Sequence, residues 1–143
     1  MIPIRDHVRS RTFPAVNLLL IGLNLFVFVR QVVLPDAAAQ AFTMQYAFIA
    51  ERLFADPLGS WYTPVTTLFF HGGFVHFIGN MLFLLVFGDN VEDVLGHLRY
   101  LFFYLFAGVL SLAIQLVVMP QPSVPVIGAS GAISAVLGAY IVL

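Results

Sequence analysis

Long apolar stretches, each broken only by isolated polar residues, dominate the pattern along this chain. The first runs from about Phe13 to Leu34 and is interrupted by Asn17, Asn24 and Arg30. A second, from about Phe74 to Phe87, is short and carries no formal charge, and a third, Tyr100 to Met119, is uncharged throughout. A fourth opens near Gly128 and is still apolar at Leu143. A helix that crosses a bilayer needs about 20 mostly apolar residues, because every backbone amide must find its partner inside the segment. The pattern therefore predicts an all-α polytopic membrane protein with helices over about 13–34, 74–87, 100–119 and 128–143. The first stretch is too long and too internally polar for a cleaved signal peptide and reads as a retained anchor.

Between the first two stretches, "AFTMQYAFIAERLFADPLGSWYTPVTTLFF" is rich in rings with Glu51, Arg52 and Asp56 interspersed. Aromatic side chains of this kind favour the head-group layer. The spacing predicts a short amphipathic helix over 43–54 lying in that layer, with Pro57, Gly59 and Pro64 breaking regular structure after it.

Composition agrees with the hydrophobic pattern and removes other classes. Hydrophobic residues make up 61% and charged ones 9%, against about 25% charged in a soluble domain. With no cysteine, disulfides and thiolate metal sites are excluded, and four scattered histidines without carboxylates at ligand spacing point to no metal. A net charge of -1 without a basic run leaves no footprint for nucleic acid. The surroundings implied are a lipid bilayer.

Arginine alone sets the topology, since lysine is absent. Arg5, Arg9 and Arg11 precede the first helix, so the positive-inside rule makes residues 1–12 a cytoplasmic N-terminal arm. Segment 35–73 is then outside, 88–99 inside, and 120–128 outside again. Arg30, near the outer end of the first helix, reaches the head groups by its long stem.

This topology puts several polar groups at one depth. Ser130 opens the fourth helix at the outer face, and "HGGFVHFIGN" (71–80) opens the second helix at the same face. His76 and Asn80 are four apart and project from one side of a helix, while His71 lies in the entry loop. Ser130, Ser134 and Gly138 form one row of small residues and Gly131, Ala135 and Ala139 the next. Such a surface invites close helix packing, which is one reading of the "GASGA" stretch. The other is chemical: free amides and the positive dipole end at a helix start stabilise a developing oxyanion, and Gly128 and Gly131 leave room for a substrate backbone.

From "IPIRDHVRSRTFPAVNLLLIGLN" through "WYTPVTTLFFHGGFVHFIGNMLFLLVFGDNVEDVLGHLRYLFFYLFAG" to "VIGASGAISAVLGAY", the chain resembles the rhomboid family of intramembrane serine proteases. The resemblance implies a rhomboid-like helix bundle with about four of an expected six transmembrane helices present. It implies that Ser130 is the nucleophile, that His76 and Asn80 hold the oxyanion with the Ser130 amide, and that His71, Gly128 and Gly131 support them. Glu92, Gly96 and Arg99 match residues that shape and brace the helix ends. The implied reaction is hydrolysis of transmembrane segments of membrane-protein substrates through an acyl-enzyme, with no cofactor and no metal. The expected location is a bacterial inner membrane.

One departure stands out. The family's base is a histidine from a later helix, and this sequence contains no such helix. His7 and His97 fall on the cytoplasmic side, while His71 and His76 match other roles. A base must come within about 2.6–3.2 Å of the proton it takes, or one water away. The sequence thus reads as the N-terminal part of a rhomboid protease, ending before its fold does, and these 143 residues are expected to hydrolyse nothing alone. A rhomboid-like protein that binds transmembrane clients without cutting them is the alternative within the same fold. A transporter or channel fragment would not require a serine at a helix start in register with His-x-x-x-Asn, and a packing subunit is the third alternative.

Overall fold

The computed structural model describes residues 11–143; Arg5, His7 and Arg9 of the arm lie outside the described residues. Helix α1 spans Ala15–Val33 and α2 Asp36–Tyr46, followed by the short turns α3 (Ala50–Ala55), α4 (Pro57–Ser60) and α5 (Thr63–Thr66) and a 3-10 turn at Thr67–Phe69. Three longer helices follow, α6 (Phe74–Leu95), α7 (His97–Val118) and α8 (Ser130–Val142). Three of these, α1, α6 and α7, are long and apolar enough to cross a membrane, and α8 is a shorter apolar helix. The architecture is a helical membrane bundle.

Its centre is built by α6, α7 and α8, with α1 laid along α6. Leu20, Leu84, Val91, Tyr100, Tyr104, Ala132, Ile133 and Val136 fill it. The opposite faces of the spans carry exposed Leu19, Phe26 and Val33 on α1 and Phe102, Phe106 and Val117 on α7, as lipid-facing surfaces do, since tails are as apolar as these side chains.

Two elements differ from the pattern. Helix α6 does not end near Phe87 but runs on to Leu95, so segment 88–99 is no inner loop; Gly96 alone joins α6 to α7. The polar residues there are tied in rather than solvated. Glu92 is fully buried and accepts from the Val16 and Asn17 amides at 2.9 and 2.7 Å and bonds the His97 ring. The chain turns only at Gly96, whose φ of +78° suits a residue without Cβ.

The second difference lies in segment 35–73. No helix spans 43–54: α2 ends at Tyr46, Phe48 is extended, and α3 starts at Ala50. The Val126 amide donates to the Phe48 carbonyl at 2.8 Å in an isolated antiparallel bridge, which draws the chain out of helical geometry. Phe48 is buried there with Ala50 and Leu112.

Buried polar groups pin the bundle. Asn17 donates to the Leu84 carbonyl at 2.9 Å and accepts from the Tyr100 hydroxyl at 2.9 Å, joining α1, α6 and α7. An amide without such partners would cost several kcal/mol in a hydrocarbon core, by an order-of-magnitude estimate.

Candidate active site

The last helix is positioned by its approach to α7. A Cβ on Gly108 of α7 would come within 2.5 Å of Leu68 and 3.3 Å of the Ala132 Cβ, and one on Gly131 would overlap the Ser111 side chain. Helix α8 thus sits against α7 at backbone distance, with Leu68 of the segment between α1 and α6 packed against Gly108 as well. The preceding loop is held just as firmly. The Gly128 amide donates to the Thr67 carbonyl at 3.1 Å, the Thr67 hydroxyl donates to the Val126 carbonyl, the Glu51 amide donates to Pro122 at 3.0 Å, and Ser123 donates to the Glu51 carboxylate at 2.6 Å.

At the end of that loop Gly128 has a φ of +132°, a backbone state that L side chains rarely adopt. Its empty side-chain position is where two elements converge. A Cβ there would stand 3.0 Å from His76 Cε1, 3.5 Å from His76 Nε2 and 3.6 Å from Ser130 Oγ. The glycine therefore leaves open a space shared by the imidazole from α6 and the hydroxyl from α8.

Ser130 is the first residue of α8, and Ala129 before it provides no side-chain cap. Capping by Ser, Asp or Asn would occupy the first amides of the helix; here no side chain at the cap position does so. Ser130, Ser134 and Gly138 are exposed in one row, and a Cβ on Gly138 would meet open space. Gly131 belongs to the buried contact instead, against Ser111.

Asn80, one turn along α6 from His76, is 8% exposed, and its side-chain amide nitrogen has no acceptor. A buried donor without a partner is costly. His71 is 3% exposed with neither ring nitrogen hydrogen-bonded, its ring 5.4 Å from that of His76 and edge-on to Phe77 at 5.2 Å. Burial, and then the neighbouring His76, lower its pKa to about 4 against a weaker opposing contribution from the Phe69 backbone. His71 is thus neutral at ordinary pH.

Glu92 and Gly96 lie at the other end of α6, away from this cluster, where Glu92 caps α1; Arg99 is exposed on the first turn of α7. Among the described residues no group of His, Cys, Asp or Glu has the arrangement of a metal site. Sequence reasoning did not find Gln31, Thr67 or Ser111. Each contacts the site region through partners far away in the chain, and no local motif marks them.

The sequence pattern of the Rhomboid domain matches residues 58–143. The chain belongs to the rhomboid family. Over 83 residues it is 34% identical to the putative rhomboid protease YdcA of Bacillus subtilis (strain 168), covering 58% of this chain and 41% of that protein. With the rhomboid protease GluP of the same organism it shares 39% identity over 83 residues, 58% of this chain and 16% of GluP. Rhomboid-like protein 11, chloroplastic, of Arabidopsis thaliana is 39% identical over 74 residues, 52% of this chain and 26% of that protein. The chain thus spans less than half the length of these rhomboid relatives. No solved structure matches.

Proposed function

We propose that this rhomboid-family chain carries the nucleophile and the oxyanion site of an intramembrane serine endopeptidase acting on transmembrane segments of membrane proteins. The observation that carries the reading is the convergence of the His76 ring and the Ser130 hydroxyl on the space left by Gly128. In this reading Ser130 attacks the scissile carbonyl, and His76, the unpartnered Asn80 amide and the Ser130 backbone amide receive the negative charge that forms on its oxygen. Such donors typically contribute about a hundredfold or more each. Gly128 keeps the approach open, and His71 packs behind His76. The acyl-enzyme formed is then hydrolysed by water.

The base is the part not assigned to these residues. His97 bonds Glu92 at the far end of α6, and His71 is enclosed against Phe28 and Phe77. The remaining imidazole, that of His76, converges with the Ser130 hydroxyl on the space at Gly128 and in this reading serves the oxyanion, which leaves no described histidine for the base. The 143 residues alone are accordingly proposed to be inactive, with the base coming from a later helix as in the family resemblance. The proposed orientation has the N-terminus in the cytoplasm and this end of the bundle toward the outer leaflet of a bacterial inner membrane. The same lack of a base favours a second reading, a rhomboid-like protein that holds transmembrane clients without cutting them.

A fluorophosphonate probe with added imidazole separates the two. On the protease reading, the purified chain cleaves no transmembrane substrate, Ser130 labels slowly, and imidazole accelerates the labelling in wild type but not in Ser130→Ala. A folded chain that stays unlabelled at every imidazole concentration supports client binding instead.

A further inference from the structure

Gln31 lies at the outer end of α1, far in sequence from every residue of the site. Its side-chain carboxamide faces the backbone of His71. The His71 amide donates to Gln31 Oε1 at 3.1 Å, and Gln31 Nε2 donates to the His71 carbonyl at 3.2 Å. A side-chain amide here makes the two-bond pairing that a neighbouring strand would make. The same nitrogen lies 3.4 Å from the Thr43 hydroxyl of α2, so one half-buried group joins α1, α2 and the entry to α6.

This pairing matters because little else polar holds His71, the Phe69 backbone making the weakest of the contributions felt by its ring. Both of its ring nitrogens are buried without partners, and the ring is confined only by edge contacts with Phe28, Phe77 and His76. Aromatic edge contacts hold a ring less firmly than a pair of hydrogen bonds holds a backbone. Two glycines, Gly72 and Gly73, separate His71 from α6, so the chain there has little stiffness of its own. A ring so weakly held by polar partners, next to two glycines, takes its position from its backbone, and that backbone pairs with Gln31.

We propose that Gln31 is a positioning residue of this site: by pairing with the His71 backbone it seats the His71 ring against His76 and so fixes the His76 imidazole beside Gly128 and Ser130. The proposal rests on the reading of His76 and Ser130 given above, but its test does not use activity.

The full chain in lipid nanodiscs, labelled with nitrogen-15 and carbon-13 in histidine, is compared with Gln31→Met, which keeps the length and loses both bonds, and with Gln31→Glu, which keeps the acceptor for the His71 amide. In wild type, His71 titrates near pH 4. In Gln31→Met its midpoint is expected to move up toward the free value as water enters, its amide to exchange roughly tenfold faster, and the His76 ring signals to shift. Gln31→Glu should retain the slow amide exchange. Amides in the middle of α6 should remain protected in all three, which separates a local release from unfolding. If Gln31→Met leaves the His71 midpoint, the His71 amide and the His76 ring signals unchanged, the proposal is wrong. If Gln31→Met does not fold, the proposal is equally overturned by a folded Gln31→Glu whose His71 amide exchanges freely. Failure of the Ser130 labelling experiment would leave these outcomes untouched, and the reverse also holds.

Discussion

Asn17 of α1 occupies the volume that a side chain at Gly88 of α6 would need: a Cβ there would overlap the Asn17 carboxamide, with Cγ 2.6 Å away. The glycine and the asparagine are thus one joint. Gly88→Ala is expected to lower stability by about 1–3 kcal/mol through overpacking. Asn17→Ala should cost a similar amount, by stranding the Tyr100 hydroxyl. Because the alanine at 88 then enters the vacated space, the double variant should be markedly less destabilised than the sum. Unfolding by SDS titration in mild micelles measures all three.

A second joint sets the height of Ser130. Gly131 faces Ser111, whose Cβ would lie 2.5 Å from a Cβ added at 131. Gly131→Ala should push α8 away from α7 and cost about 1–3 kcal/mol. Ser111→Gly in the same chain should recover most of the loss. A cysteine pair engineered across α7 and α8 below this point would report the spacing directly, crosslinking more slowly in Gly131→Ala and at the original rate in the double variant.

Glu92 acts as the N-terminal cap of α1 from another helix, taking the Val16 and Asn17 amides on its two oxygens. A carboxylate at a helix start gains from both hydrogen bonds and the dipole. Glu92→Gln keeps the shape but loses the charge and one acceptor, and is expected to cost about 1–2 kcal/mol. Because the group is fully buried, that cost should change little between low and high salt.

His71 makes stability depend on pH with a definite sign. Unfolded, it titrates near its ordinary value of 6.5; folded, near 4. Above 6.5 both states hold it neutral and it contributes no slope. Between 6.5 and 4 the unfolded chain binds the extra proton, so stability falls as pH falls and levels off below 4. Subtracting the unfolding curve of His71→Phe from that of wild type at each pH isolates this contribution. The difference should decline across that window, and a flat difference would show that the ring is solvated.

The spans were readable because composition and length alone decide them, and Ser130, His76 and Asn80 stood out because polar residues in apolar segments are few. What could not be read was pairing. Nothing near Asn17 announces Gly88, and nothing near Gln31 announces His71, since each bond joins residues from different helices. The continuation of α6 through Glu92 was hidden for the same reason. A run of charged and amide side chains resembles a solvated loop until its partners on α1 and α7 are known. The break at 47–49 was lost because its cause, Val126, lies on the far side of two helices.

The bridge between Phe48 and Val126 also imposes an order on biosynthesis. Phe48 precedes α6 in the chain, while Val126 follows α7. The ribosome must therefore deliver α6 and α7 before the two can meet, and until then Phe48 waits without this backbone partner. Contacts of this kind, far apart in the chain, slow assembly relative to a hairpin of adjacent helices, and the loop leading to Ser130 gains this backbone partner only once α6 and α7 stand between the two ends.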